Sequence, residues 1–425
     1  MIMKKFPGGI HPKYNKELTA EKPIIDMPLA KKVRLLLSQH LGPPCNPLVA
    51  PGDKVTIGQK IADTDAFVAA PIIASVSGEV TAVDALGIDI ACDSSNSEFK
   101  GQKQDYSSPE QLRQLIRDAG IVGMGGATFP TQVKLTPPDG KSINTLIVNG
   151  AECEPFLTTD HRLMLEQGED LIQGVLLLME ACGAKDAIIG IEANKPDAIA
   201  HLTDIVQAHS TISVASVPVR YPQGGERQLI KTLTGKEVPV GGLPLDLGFV
   251  VSNVATAVAV HQAVNLGRPL IDRVVTVSGA VAQPNNVRVR LGTPIAELID
   301  FCGGLDPDAI KVINGGPMMG KTVADLDSPI TKGTSGILAF TEREVREYEE
   351  RTCISCASCV DSCPQKLLPN YLARYSKKGK LDLAEQYHLF NCIECGCCSY
   401  VCPSRIPIVK YIQTAKNRIQ RRRRK

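Results

Sequence analysis

Tryptophan is missing from all 425 residues, and aromatic side chains of every kind make up only 4% of the chain. Proteins hold single-stranded nucleic acid by stacking its bases on aromatic rings, so the composition argues against nucleic acid as a partner. Long apolar runs are missing too. The most apolar stretch, Leu247 to Val264, is broken by Ser252, Asn253, Thr256, His261 and Gln262. It falls short of the ~20 apolar residues that a spanning helix requires. The opening Met1-Ile-Met-Lys-Lys-Phe-Pro-Gly-Gly is interrupted before the apolar core of a secretory signal could form. The expectation is a cytoplasmic chain with peripheral membrane association at most. Neither sign of charge dominates: 47 Lys and Arg face 45 Asp and Glu. With 43% hydrophobic residues the chain can bury substantial cores, and its length predicts several domains of about 100–200 residues each.

What the chain does have is cysteine in a pattern. Cys353, Cys356, Cys359 and Cys363 precede Pro364, and Cys392, Cys395, Cys398 and Cys402 precede Pro403. Each run reads C-x2-C-x2-C-x3-C-P, the spacing of bacterial two-cluster ferredoxins. There, three thiolates of one run and the last cysteine of the other hold each 4Fe-4S cube. One predicted ligand set is Cys353, Cys356, Cys359 and Cys402; the other is Cys392, Cys395, Cys398 and Cys363. Structural zinc pairs two separated C-x2-C knuckles and has no use for a third cysteine two residues on. Disulfides need an oxidising compartment. Cys397, between ligands, reads as a bystander. Two adjacent cubes move single electrons, which places the chain in a redox series.

Elsewhere the pattern is modular. Residues 1 to about 30 read as irregular. Pro51 to Ile61 and Ala70 to Thr81 are two strand–turn–strand halves. They resemble the barrel-sandwich hammerhead of biotinyl and lipoyl domains, but Ala62-Asp-Thr-Asp-Ala66 lacks the lysine that carries the swinging group. Strands at Thr145–Val148, Ala187–Ile191 and Ile212–Val219 alternate with helices at Asp160–Cys182, Pro196–His209 and Glu226–Leu233. That alternation predicts a largely parallel sheet covered on both faces. Strands at Val274–Ser278, Val287–Arg290 and Ile310–Ile313 around a helix at Pro294–Cys302 suit a β-grasp unit. A charged helix, Glu342–Arg351, leads to the cysteine runs, between which Leu367–Tyr375 and Leu381–Leu389 read as helices. The basic end from 416 to 425 reads as a solvated tail, or as a contact for anionic lipid or an acidic partner.

Four segments carry candidate binding chemistry. Gly123-Met-Gly-Gly-Ala-Thr-Phe-Pro-Thr-Gln-Val-Lys134 offers bare amides and a lysine, suited to a phosphate or an electron-rich ring. Asn149-Gly-Ala-Glu-Cys-Glu-Pro155 follows a strand, where sheets of this kind bind ligands. Tyr221-Pro-Gln-Gly-Gly-Glu226 and Ser252-Asn-Val-Ala-Thr256 lie at two more strand-to-helix junctions. Gly315-Gly-Pro-Met-Met-Gly-Lys-Thr322 satisfies the P-loop expression, yet Val323 to Pro329 is too short and turn-prone for the helix a P-loop must open.

In this order, the four segments resemble the flavin-bearing NADH subunit of complex I. With the hammerhead and the doubled cysteine run, nearly the whole chain resembles the C-subunit of the Rnf-type ion-translocating electron-transport complex. The resemblance implies a multidomain α/β protein. Its parts are an N-terminal barrel-sandwich region (1–105), a Rossmann-like FMN/NADH-binding domain (106–265), a β-grasp domain (266–340), a helical two-cluster ferredoxin domain (341–415) and a basic tail (416–425). It implies that Gly123, Gly125, Gly126, Lys134, Asn149, Glu152, Asn253 and Thr256 hold FMN, and that Phe129 stacks on nicotinamide with Glu154 and Glu226 lining the NADH site. Cofactors would be FMN and two 4Fe-4S clusters, with NAD(H) as substrate. Partners would be other subunits of a complex at the cytoplasmic face of the inner membrane, with ferredoxin reached indirectly. Ala151 stands where complex I has aspartate, and Gly225 where it has the first paired glutamate. Ser252 and Ala255 alter the last segment. Two other readings share these residues: a flavin subunit of a soluble NAD-linked hydrogenase or formate dehydrogenase, and a non-catalytic iron-sulfur scaffold.

Overall fold

The computed structural model describes residues 5–93, 99–345 and 349–423. Its centre is a parallel sheet in the order Ile212–Val217, Asp186–Glu192, Thr145–Gly150, Phe249–Asn253. Strand alternation splits the apolar residues between two layers. Leu146 and Val148 pack with the helices Gly168–Cys182 and Val254–Asn265, whereas Ile147 packs with Leu229, Ile230 and Leu233 of the helix Glu226–Thr234. Pro196 opens the helix Pro196–Ile205, and Gly183, at φ 75°, closes the one before it. The single helix expected over Asp160–Cys182 is two, Thr159–Glu166 and Gly168–Cys182, broken at Gln167. Just after the break the neighbouring helix comes close: a Cβ on Gly168 would lie 2.7 Å from both His201 and Ile205.

Two small antiparallel sheets make the N-terminal barrel sandwich. One orders Lys32–Leu36, Gly87–Cys92, Gly78–Val83 and Lys54–Val55; the other orders Asn46–Pro47, Lys60–Asp63 and Ile72–Ile73. The segment before it is not wholly irregular. Ile24–Asp26 adds in parallel to Asn285–Arg290, at the edge of the β-grasp sheet. That sheet continues through Asp272–Gly279, Gly336–Thr341, Ala309–Asn314 and Lys321–Thr322, with the helix Ile295–Phe301 against it. Lys321–Thr322 pairs as a strand with Ala309–Asn314 and opens no helix, so the P-loop expression here marks a hairpin.

The cluster domain is helical: Ser358–Asp361, Pro369–Lys377, Leu381–Gln386, Cys397–Tyr400 and Ile408–Arg423. The last helix corrects the expected tail. From 416 to 423 the chain remains helical, because Ile408, Ile412, Ala415 and Ile419 recur on one buried face. The helix expected over Glu342–Arg351 is a turn at Glu342–Glu344, and residues 346–348 lie outside the described residues.

Candidate functional site

The four segments converge at the C-terminal edge of the parallel sheet. Asn253 ends its strand and caps the helix Val254–Asn265, its Oδ1 accepting from the Ala255 amide at 2.9 Å. The glycine-rich loop folds onto that cap. Met124 donates its amide to Thr256 Oγ1 at 3.0 Å, and a Cβ on Gly125 would lie 2.7 Å from Asn253 Nδ2. Only glycine permits so close an approach. Thr128, at the end of the loop, adopts φ 53°, a left-handed conformation that is strained for a β-branched residue.

The remaining segments interlock. Asn149 Nδ2 donates to Gly224 O at 2.9 Å, and Lys134 pairs with Glu226 at 2.7 Å, both side chains remaining about one-third exposed. Glu152 is committed inside the protein. Its carboxylate accepts from Thr159 Oγ1, the Asp160 amide and the His161 amide at 2.8–3.3 Å, closing the N-terminus of the helix Thr159–Glu166. Ala151, fully buried, packs with Ile147, Val217 and Leu229 beneath the loop. Phe129 lies in the glycine-rich loop, its carbonyl accepting from the Gly123 amide at 2.8 Å.

Glu154 lies beneath the Gly315–Gly320 hairpin. Its Oε2 accepts from the Met318 amide at 3.0 Å, whereas its Oε1 is buried with no partner among the described residues. Burial pushes this carboxyl up to about 7, against the pull of the Met318 and Met319 amides. The same hairpin reaches the second cysteine run, since a Cβ on Gly396 would lie 3.1 Å from Met318 O.

Three residues here gave no signal in the sequence. Lys16 sits in a stretch that reads as irregular, yet its Nζ donates to the carbonyls of Glu152 and Glu154 at 2.9 and 3.0 Å, and to that of Leu157. Arg273, buried in a β-grasp strand, donates to Met124 O at 3.4 Å beneath the glycine-rich loop. Asp160 receives Asn253 Nδ2 at 2.8 Å, and burial raises its carboxyl, with nearby Glu152 adding to the rise.

The two cysteine runs have the same local shape. Ser355, Ala357 and Lys366 in the first, and Glu394, Gly396 and Arg405 at the matching positions of the second, all have φ between 54° and 83°. Five of these six are not glycine, and each left-handed residue costs about 1–2 kcal/mol. The tight curl turns amides onto sulfur: Leu367 donates to Cys363 Sγ and Glu394 to Cys392 Sγ, each at 3.4 Å. Such N–H···S contacts favour the thiolates that an iron-sulfur cube requires.

The runs also cross. Burial raises the Cys359 thiol, and nearby Cys402 and Cys353 raise it further. Burial likewise raises Cys363, with Cys395 adding to it, and lifts Cys392 to about 11, with Cys395 and Cys363 contributing. Cys402 thus lies near Cys359, and Cys363 near Cys392 and Cys395, while among the described residues no three of these side chains are gathered closely enough to hold a metal ion. Around the second set the protein closes. Tyr221 donates its hydroxyl to Cys395 O at 2.7 Å, Gln228 donates to Pro364 O at 3.3 Å, and Gly9 donates to Ser362 O at 2.9 Å. Cys397 is fully buried there, beside Tyr221 and Cys153.

Comparison with known proteins follows the same division. Successive parts of the chain match the RnfC barrel sandwich hybrid domain (4–94), the Nuo51 FMN-binding domain (116–262), the SLBB domain (274–322) and the 4Fe-4S dicluster domain (346–403). The chain is 44% identical to the C-subunit of the proton-translocating ferredoxin:NAD(+) oxidoreductase complex of Clostridium ljungdahlii, covering 98% of this chain and 94% of that one. It is 42% identical to the C-subunit of the Na(+)-translocating ferredoxin:NAD(+) oxidoreductase complex of Acetobacterium woodii, covering 99% and 98%. Among solved structures, a chain of an NAD+-reducing NiFe-hydrogenase in the H2-reduced state superposes with a TM-score of 0.52 at 22% identity, covering 73% of this chain and 63% of that one. That likeness is one of fold alone.

Proposed function

The chain belongs to the C-subunit family of ion-translocating ferredoxin:NAD(+) oxidoreductase complexes, and from that membership we propose that it passes electrons between NAD(H) and its partner subunits through FMN and two 4Fe-4S clusters. FMN, when bound, exchanges two electrons with NAD(H) and single electrons with the clusters. The amides of Gly123, Gly125 and Gly126, with Lys134, Asn149 and Asn253, form the flavin cradle. Glu152 and Thr256 serve it by holding the helix start and the loop in place. Phe129, Glu226 and Glu154 belong to the nicotinamide side, where Glu154 is reached beneath the Gly315–Gly320 hairpin. Cys353, Cys356, Cys359 and Cys402 bind one cluster; Cys392, Cys395, Cys398 and Cys363 bind the other.

One observation supports the order of transfer. Tyr221 of the sheet site bonds the carbonyl of Cys395, and Gln228 bonds that of Pro364 beside Cys363, whereas Cys353 and Cys356 are exposed. With clusters bound, the set containing Cys395 would lie toward the sheet site and the set containing Cys353 and Cys356 toward a partner, and single-electron transfer would run between them in that order. The protein works peripherally at the cytoplasmic face of the inner membrane. Ion movement belongs to partner subunits, and among the described residues no helix is long and apolar enough to cross a membrane. Protein purified without oxygen is expected to carry about eight irons and eight acid-labile sulfides, to release FMN on denaturation and to reduce ferricyanide with NADH. Iron well short of eight, or no flavin and no ferricyanide reduction, would overturn this reading.

A further inference from the structure

The helix Ile408–Arg423 buries one face and shows another to solvent. Ile408, Ile412, Ala415 and Ile419 pack into the core of the cluster domain. Lys410, Thr414, Arg418 and Arg421 follow one another at intervals of four, four and three residues, which puts their side chains on one side of a helix. All four are exposed, as is Arg422 beside them.

These cations have nothing to neutralise them. After Glu394 the sequence contains no aspartate or glutamate. The two cations of the helix that do have carboxylate partners lie off this row: Lys416 pairs with Glu394, and Arg423 with Glu385. Glu350, near the start of the helix, is taken by Lys377 and the Tyr411 hydroxyl. Among the described residues Lys410, Arg418, Arg421 and Arg422 make no ion pair. The helix dipole favours cations in the last turn and so accounts for Arg421 and Arg422, but not for Lys410 in the first turn.

A row of free cations about 16 Å long fits an anionic surface, and its composition says which kind. The core of a protein interface is apolar or aromatic and poor in lysine. Here the exposed residues from Lys410 to Arg422 are Lys, Arg, Thr, Asn and Gln alone. Lipid headgroups ask only for charge, each Lys or Arg near an anionic bilayer strengthening binding about fivefold. The row also starts beside the exposed cysteine run. Arg351 donates its amide to Ser404 O at 2.9 Å, and Ser404 donates its hydroxyl to Thr352 O at 2.8 Å. Cys353 therefore follows a segment tied down just ahead of the helix, at its Lys410 end.

We propose that this face rests on anionic phospholipid headgroups and so presents the exposed cysteine run to a partner in the membrane. The lipid contact stands by itself; the presentation to a partner rests on the function proposed above.

Co-sedimentation of the full-length holoprotein with vesicles tests this, using phosphatidylcholine alone or mixed with phosphatidylglycerol. Binding is expected to the mixed vesicles only, and to fade at about 1 M salt, where charges are screened beyond about 3 Å. Arg418→Gln combined with Arg421→Gln should weaken it about 25-fold. Lys54→Gln, which removes an exposed charge from the barrel sandwich, should weaken it less than about twofold. Iron content and vesicle-free NADH:ferricyanide activity should be the same in wild type and variants. No binding to the mixed vesicles, equal binding to both kinds, or equal effects of the two sets of substitutions would each overturn the proposal. Capture by poly-glutamate without capture by the mixed vesicles would assign the face to an acidic protein and overturn it too. Any of these results with iron and activity intact would leave the electron-transfer reading standing.

Discussion

The two cysteine runs share a spacing, a curl and a short helix, yet they live in different surroundings. From Arg351 to Ala357 the first run is exposed throughout, with Ile354 at 68%. In the second, Cys395, Cys397 and Cys398 are buried, the first two enclosed by Tyr221, Ile10 and Met318. The difference teaches that the ligand code is local while the role of each cluster is not. A cube's ligands are specified within a dozen residues and one crossing. Whether it faces a cofactor or a partner depends on what docks against it.

The sharpest way to break this comparison is to remove each crossing ligand. Cys363→Ser is expected to lose the enclosed cluster, leaving about four irons and cutting electron flow from NADH to the exposed cluster. Cys402→Ser should lose the exposed cluster, also leaving about four irons, while NADH:ferricyanide activity persists. Iron content and low-temperature EPR distinguish the two. If Cys363→Ser removed the exposed signal instead, the crossing would be wrong.

Chemical labelling of cluster-free protein sharpens the contrast in exposure. The Ser358 hydroxyl holds the Cys356 thiol below the usual cysteine range, while burial pushes Cys392 up to about 11. Because the thiolate is the nucleophile, Cys356 should be alkylated near neutral pH at least about tenfold faster than Cys392. Mass spectrometry of a time course reads this directly, and equal rates would remove the distinction.

A smaller effect separates the enclosed side by pH. Glu154 ionises near the ordinary glutamate value when unfolded but at about 7 when folded. Between those values the folded protein holds a proton that the unfolded chain has lost. Its stabilising share is therefore present in acid and is lost as pH rises through about 7, by up to about 1.4 kcal/mol per pH unit. Glu154→Gln should flatten that part of the thermal-stability profile and leave the labelling of Cys356 unchanged.

The smallest effect belongs to the surface pair that also joins the cluster domain to the sheet domain. Lys366 meets Glu237 at 3.1 Å, but both side chains are more than half exposed. Lys366→Ala should change stability by less than about 0.5 kcal/mol, measured by denaturant melts. A larger loss would mean that charge, more than the buried contacts of Tyr221 and Gln228, holds the domains together.

Much of the site was legible because its signals are local. Gly123, Gly125 and Gly126 in one loop, the strand-to-helix junction at Asn253 and the helix start at Pro196 depend on residues a few positions away, and each of these local features stands where the sequence put it. The illegible parts work across the chain. Ile24–Asp26 is too short to show periodicity and becomes a strand only because Asn285–Arg290 presents an edge. Lys16 meets its carbonyls more than 130 positions away. The tail at 416–423 reads as basic and solvated until the spacing of Ile408, Ile412, Ala415 and Ile419 is matched by a core to receive it.

By itself the sequence determined the two matched cysteine runs, the succession of fold types and the four segments that meet at the sheet, because cysteine spacing, turn chemistry and strand periodicity are properties of neighbouring residues. Tertiary structure alone decided which of two equivalent runs is enclosed, that the Gly315–Gly320 hairpin covers Glu154, and that the basic end docks as a helix with its free cations on one exposed face. Burial and long-range electrostatics depend on which distant surfaces meet, and no local pattern encodes that meeting.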